Sequence, residues 1–314
     1  MQQDNVAISR LVSVVIPCYG SEKTIRPVVE EVISCLSPLC RYEVVLVCDG
    51  SPDNVWREIV ALGNEHSEVK GILFAKNFGQ HAATMAGYRH AQGDVIVTMD
   101  DDGQCPAAGI APMISKLDEG YDVVYARYDE AKKSRFRMFG SWLNGKMAEW
   151  LAGKPRGVVA NSFYAMRRFV MEEMVRYDLS YPYLGGLVFR ATDSIANVDV
   201  EHRGRAEGTS GYSLLKLLQL WMNGFTAFSV KPLRIASFLG VVFSVVGFAF
   251  TVVLIVRKLM NPDVPLGYTS TMASLLFIGG LLLMALGLVG EYVGRMYIGL
   301  NKSPQYVIKE TTDE

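Results

Sequence analysis

Val95-Ile96-Val97-Thr98-Met99-Asp100-Asp101-Asp102-Gly103-Gln104 joins an apolar run directly to three consecutive carboxylates. The run has no polar face, so it reads as a strand buried on both sides, as strands of parallel sheets are. Its carboxyl end is the acidic triplet. Adjacent carboxylates repel one another unless a cation is near. Mg²⁺ or Mn²⁺ would relieve that repulsion, because both take oxygen ligands from one or two carboxylates and from substrate phosphates. A solvated acidic loop is the alternative.

Working outward, 12–16 (VSVVI), 43–47 (EVVLV), 71–74 (GILF) and 122–125 (DVVY) repeat the short β-rich pattern. The intervening stretches 22–36, 54–66 and 81–91 read as helices. Alternation of this kind predicts an α/β fold with a mostly parallel sheet covered on both faces. Ligands of open α/β sheets bind outside the carboxyl ends of the strands. The loops there are Pro17-Cys18-Tyr19-Gly20-Ser21-Glu22, Asp49-Gly50-Ser51-Pro52-Asp53, Lys76-Asn77-Phe78-Gly79 and the acidic triplet, and one site can collect all four. Glycine and aspartate also make ordinary turns, which is the alternative reading of Asp49 before Gly50. Neither GxGxxG after the first strand nor GxxxxGK[ST] occurs, so phosphate neutralisation falls to a metal and to basic side chains.

Half of the 314 residues are hydrophobic, and the excess is concentrated near the C-terminus. Residues 235–256 carry no charge, and 22 residues at 1.5 Å each reach about 33 Å, enough to cross a hydrocarbon core. The uncharged stretch 266–290 is also long enough. Lys231 and Arg234 before the first stretch, with Arg295, Lys302 and Lys309 after the second, place both ends in the cytoplasm; Arg257 and Lys258 in the connection oppose that orientation. No cleavable signal sequence is visible, so the first 230 residues are expected on the cytoplasmic side. Small residues in both stretches permit helix association and a homo-oligomer. The five cysteines show no CxxC spacing, which fits reduced thiols. A net charge of −1 without a basic-aromatic block gives no case for nucleic acid.

VSVVIPCYG, VCDGSPD and MDDDGQ together resemble the first strand, the DGS loop and the DxD motif of the family 2 inverting glycosyltransferases of the GT-A fold. HRGRAEGTSGYS (202–213), the two apolar stretches, GEYVGRMY (290–297) and Pro304-Gln305-Tyr306 are similar to its polyprenyl-phosphate glycosyltransferase branch. The resemblance covers nearly the whole chain. It implies a cytoplasmic GT-A catalytic domain over 1–211, a juxtamembrane amphipathic segment over 212–234, a two-helix transmembrane hairpin over 235–290 and a cytoplasmic tail over 291–314. The chain would then be integral to a membrane, the bacterial inner membrane for the undecaprenyl-phosphate members.

By resemblance, Pro17, Tyr19 and Asp49 meet the nucleotide base and ribose, and Asn77, Asp100 and Asp101 join them as donor-binding residues. Asp100, Asp102 and Gln104 would hold Mg²⁺ or Mn²⁺ and the diphosphate. Arg127, Arg137 and Ser141 fall near the acceptor phosphate, as do Arg205 and Ser210 of the glycine-rich loop, so that Asp102, Arg127, Arg137 and Arg205 carry the chemistry. A solvated face is the alternative for the basic run 132–137. The chain departs from the family pattern at Gly20-Ser21, where Asn-Glu is usual, and at Cys48, where Asp is usual. Val159-Ala160-Asn161-Ser162-Phe163 lacks the aspartates proposed elsewhere as a base. That loss suits a phosphate acceptor, since a monoester with a second pKa near about 6 is largely dianionic at neutral pH and needs no proton removed. The expected function is inverting transfer of one sugar from a nucleotide sugar, with UDP expected, to polyprenyl phosphate. Transfer to a hydroxyl lipid, or a non-catalytic nucleotide-binding anchor, are the competing readings.

Overall fold

In the computed structural model, residues 8–128, 145–146, 149, 153–201, 231–260, 267–301 and 303–312 are described. Each of the five expected strands forms: β1 (Ile8–Cys18), β2 (Cys40–Cys48), β3 (Val69–Phe74), β4 (Val95–Thr98) and β5 (Val123–Tyr128). The expected helices between them are α1 (Ile25–Leu36), α2 (Val55–Glu65) and α3 (Gln80–His90), and α4 (Ile110–Asp118) follows β4. Three further strands, β6 (Tyr164–Arg167), β7 (Ile195–Val200) and β8 (Ile308–Thr311), were not expected from the sequence. Helices α5 (Arg168–Val175) and α6 (Leu184–Ala191) lie between β6 and β7.

The eight strands form one sheet in the order β7-β5-β6-β4-β1-β2-β3-β8. The pairs β1 with β2, β1 with β4, β2 with β3 and β5 with β7 are parallel. β6 runs antiparallel between β4 and β5, and β8 runs antiparallel along β3. The sheet is mostly parallel, as expected, but β4 and β5 are not neighbours.

Burial on both faces explains the unbroken apolar strands. Val14, Ile16, Val44 and Leu46 join one core with Val28, Val29 and Val32 of α1. Val15 and Val47 face the other way, where a side chain added at Gly87 of α3 would lie 2.3 Å from Val15 Cγ1 and 3.4 Å from Val47 Cγ2. Strand order reverses between the parallel neighbours β1 and β4: β1 connects outward to β2 and β3, while β4 lies on its other side. That is the topological switch point at which open α/β sheets bind ligands.

By its contacts the chain divides into Met1–Tyr212 with Lys302–Glu314, and Ser213–Asn301. The second unit contains two long helices, α7 (Lys231–Met260) and α8 (Tyr268–Leu300). Among the described residues one window, Phe277–Gly294 of α8, is long and apolar enough to cross a membrane, whereas Gly240–Ala249 of α7 is apolar but shorter. The segment expected to be a tail, 291–314, has a different structure. Its first part extends α8 to Leu300, and Ile308–Thr311 joins the sheet as β8. The juxtamembrane stretch lies outside the described residues up to 230.

Candidate active site

A cavity of about 740 Å³ opens at the carboxyl ends of β1 to β4 and is lined by all four expected loops. The β1 loop contributes Pro17 to Thr24, the β2 loop Asp49 and Asp53, the β3 loop Asn77 and Gly79, and the β4 loop Asp100, Asp101 and Asp102. Gln80 opens α3 beside Gly79, and Lys23 and Thr24 immediately precede α1. Two helix N-termini therefore stand at the cavity, and their partial positive charge favours an anion there.

The DGSPD segment ties the first two loops together. Ser51 Oγ accepts from the Gly20 amide at 2.8 Å and donates to Asp53 Oδ1 at 2.6 Å, while Asp53 Oδ2 accepts from the Glu22 amide at 2.9 Å. Burial opposes ionisation of Asp53, but the Ser51 hydroxyl and the Glu22 and Val55 amides outweigh it and hold its carboxyl below the usual range. Glu22 in turn accepts from Asn54 through both its carboxylate oxygens, at 3.2 Å each.

Asp49 ties the second loop to the third. Its side chain is 3% exposed, and its two oxygens accept from the Phe78 amide at 2.6 Å and the Gly79 amide at 2.8 Å. Asn77 Nδ2 donates to the Asp49 carbonyl at 3.2 Å. Burial leads these amides and raises the Asp49 carboxyl above its ordinary value. The residue expected at base and ribose is thus also the fastener of the β3 loop, with lone pairs left over for a ligand. Gly50 has φ +57°, and a Cβ there would lie 2.4 Å from the Lys76 carbonyl carbon, so only glycine lets these two loops approach so closely.

The three acidic side chains diverge. Asp101 Oδ2 accepts from the Tyr19 amide at 2.9 Å, and burial together with the Asp100 charge pushes its carboxyl up to about 6. Asp100 Oδ1 accepts from Gln80 Nε2 at 2.7 Å, and its other oxygen accepts from the Ser162 hydroxyl. Asp102 Oδ1 accepts from the Gln104 amide at 3.0 Å. Gln104, expected as a metal ligand, is not among the cavity-lining residues; its backbone instead orients Asp102. No three His, Cys, Asp or Glu side chains among the described residues form a ready-made metal cage. Two carboxylates at the end of an open cavity nevertheless fit Mg²⁺ or Mn²⁺, which bind through one or two carboxylates and complete their shell with water and substrate phosphates.

Arg127, expected at the acceptor phosphate, is held elsewhere. It lies outside the cavity lining, exposed near the end of the otherwise buried β5, and makes a two-point ion pair with Asp199 of β7 at 2.6 and 3.0 Å. The β5 to β7 register that sets Arg127 opposite Asp199 is the reason. Arg137, Ser141, Arg205 and Ser210 lie outside the described residues. The stretch lacking a base is built for structure: Asn161 Nδ2 donates to the Ala126 carbonyl at 2.6 Å, and its Oδ1 accepts from the Phe163 amide at 3.0 Å. Sequence reasoning missed Lys23, Gln80 and Ser162. Gln80 and Ser162 are ordinary polar residues 20 and 62 positions from Asp100, and only the fold brings them to it. All five cysteines are free, as expected.

This constellation on a switch-point α/β sheet has a known counterpart in sequence. Residues 13–175 match the model of glycosyl transferase family 2, and the chain belongs to that family of glycosyltransferases. Residues 231–296 match the GtrB C-terminal hairpin. Similar curated proteins include the undecaprenyl-phosphate 4-deoxy-4-formamido-L-arabinose transferases of Yersinia enterocolitica, 33% identical, and Proteus mirabilis, 34% identical; both matches cover 95% of this chain and 93% of the relative. Among solved structures, the glucosyl-3-phosphoglycerate synthase of Mycobacterium tuberculosis in complex with Mn²⁺ and UDP-glucose shares the fold. It superposes with a TM-score of 0.51 at 18% identity, over 69% of this chain and 77% of that one.

Proposed function

We propose that this glycosyltransferase moves a single sugar, with inversion at the anomeric carbon, from a UDP-sugar to the phosphate of a polyprenyl lipid such as undecaprenyl phosphate. The observation that carries this reading is the 740 Å³ cavity with an exposed aromatic ring, Tyr19, on its wall and the Asp100 and Asp102 carboxylates among its lining. The curated relatives, named for transfer involving undecaprenyl phosphate, support the acceptor.

In this reading the base lies by Pro17 and Tyr19, and Asn77 and the remaining lone pairs of Asp49 meet base or ribose. The diphosphate lies toward the N-termini of α1 and α3, with Lys23 beside it. Asp100 and Asp102 would hold Mg²⁺ or Mn²⁺, which when bound supplies Lewis-acid stabilisation of the departing diphosphate. Gln80 and Ser162 keep Asp100 aimed. A lipid phosphate oxygen attacks the anomeric carbon and the bond to the nucleoside diphosphate breaks. No proton is transferred, in keeping with the absence of a carboxylate among residues 159–163. Arg137, Ser141, Arg205 and Ser210 are the proposed acceptor-phosphate residues, and Arg127 joins them only by exchanging Asp199 for the lipid. Helices α7 and α8 are read as a two-span membrane hairpin with both ends cytoplasmic, which delivers an acceptor confined to the bilayer. At 30 and 33 residues they reach about 45 and 50 Å.

Purified protein incubated with labelled UDP-sugars, Mn²⁺ and undecaprenyl phosphate should yield a lipid product labile to mild acid. A product formed only on a hydroxyl lipid overturns the acceptor assignment. Nucleotide binding with no product on any lipid would favour a non-catalytic anchor.

A further inference from the structure

The residues that follow α8 return to the sheet, and what they touch leads to the cavity. Tyr306 stacks on Phe74, the last residue of β3, with centroids 5.0 Å apart and planes inclined by 6°. Its hydroxyl accepts from Arg89 Nη1 at 3.0 Å, and the same guanidinium lies 5.4 Å from the ring centre. Phe74 meets Phe78 edge-on at 5.7 Å. Phe78 is the residue whose amide donates to Asp49 at 2.6 Å, beside the Gly79 amide at 2.8 Å. One aromatic chain therefore runs from the C-terminal segment to the loop that lines the nucleotide cavity.

The segment is fastened on both sides of Tyr306. Gln305, 6% exposed, donates to the Tyr177 and Leu179 carbonyls at 2.8 Å each. The Val307 carbonyl accepts from the Ala75 amide at 2.9 Å, and β8 then pairs with β3. A side chain at Gly71 would lie 2.9 Å from Thr312 Cγ2, so the segment sits directly on β3. Phe74 is 1% exposed beneath this cover. The β3 loop beyond it, with Lys76 and Asn77 exposed, has no regular structure of its own. Its conformation depends on Asp49 from one side and on the Phe74 to Phe78 contact from the other. Capping of a sheet edge requires only the β8 backbone; the ring stacked on Phe74, with the guanidinium against it, is an additional contact.

We propose that Tyr306 is a positioning residue for nucleotide binding, through which the segment following the second long helix holds the β3 loop in its cavity-lining conformation. This inference rests on reading the cavity as the nucleotide site.

The test uses the full chain in detergent, comparing wild type with Tyr306→Phe, Tyr306→Leu and Tyr306→Ala by calorimetric titration with UDP and Mn²⁺ and by hydrogen exchange. Loss of an aromatic pair corresponds to roughly three- to tenfold in an equilibrium constant, so Tyr306→Ala should weaken UDP binding by that factor, while Tyr306→Phe, which keeps the stack, stays within about twofold. The Phe78 and Gly79 amides should exchange faster in Tyr306→Ala, with β1 and β2 unchanged. A double variant with Phe78→Ala should bind no more weakly than Phe78→Ala alone, because both act through one contact chain. Should Tyr306→Ala not fold, Tyr306→Leu takes its place. Unchanged UDP affinity with unchanged protection at Phe78 and Gly79 overturns the proposal, as do independent, multiplying losses in the double variant. If wild type binds no nucleotide, the reading of the cavity fails, and exchange at Phe78 and Gly79 still decides whether Tyr306 positions the loop.

Discussion

At the scale of the residue, the acidic triplet separates into three roles. Asp100 is held by Gln80 and Ser162, Asp101 by the Tyr19 amide, and Asp102 by the Gln104 amide. Asp102→Asn should lower turnover by more than about 100-fold, with an unchanged circular dichroism spectrum. Gln80→Ala and Ser162→Ala should act less directly, weakening Mn²⁺ binding in the presence of UDP by roughly 10-fold or more, as loss of an outer-shell partner does. Electron paramagnetic resonance titration of free Mn²⁺ measures that without turnover. Asp101 makes a different prediction. Below about pH 4 its carboxyl is protonated whether the chain is folded or not. From there to about 6 only the folded state keeps the proton, and above about 6 the folded state must carry the charge against burial and Asp100. Metal-free wild type should therefore lose thermal stability relative to Asp101→Asn as pH rises from 4 to 7, with little further divergence above. A difference in Tm that is flat across that range would show that burying the Asp101 charge beside Asp100 carries no cost.

At the scale of the element, the site depends on loops held by one another more than by their own strands. Gly50 shows this most sharply, since its positive φ and the contact with the Lys76 backbone both exclude a side chain. Gly50→Ala should cost about 1–3 kcal/mol of stability through strain and displaced backbone. It should also weaken UDP binding, because Asp49 can no longer hold Phe78 and Gly79 in place; denaturant unfolding and calorimetry measure the two effects. The five strands of 12–125 and the helices α1 to α3 were legible from the alternation of short apolar runs with longer helical stretches; α4 was not read. β6, β7 and β8 were not. Tyr164-Ala165-Met166-Arg167 and Ile308-Lys309-Glu310-Thr311 are four-residue strands whose pairing partners lie far away in the chain, so their pattern carries too little periodicity to read. The same distance hid the Arg127 to Asp199 pair, which exists only because β5 and β7 are in register.

At the scale of the whole molecule, the sheet is completed by residues that lie beyond the hydrophobic hairpin. A chain ending at residue 230 lacks β8 and leaves the β3 edge unpaired, with Phe74 uncovered. Such a truncation should melt roughly 5 °C or more below a version in which 303–314 is rejoined through a flexible Gly/Ser linker, and should aggregate more readily. Differential scanning fluorimetry with light scattering checks both. Equal Tm and solubility of the two forms would mean that β8 adds nothing to the fold.

What the sequence by itself determined is local: which runs are strands buried on both faces, which loops stand at their carboxyl ends, and which stretches near the C-terminus are long and apolar. Those properties, and the acidic triplet, follow from composition over a few consecutive residues; the family followed from the resemblance of VSVVIPCYG, VCDGSPD and MDDDGQ. Tertiary structure alone decided what each polar side chain holds. It turned Asp49 into the fastener of the β3 loop, gave Asp101 to Tyr19, set Gln80 and Ser162 on Asp100, and returned Tyr306 to Phe74. The physical reason is that a hydrogen bond or a ring contact between residues 20 to 232 positions apart leaves no periodic trace in the chain. It comes into being only when the sheet order brings the two ends together.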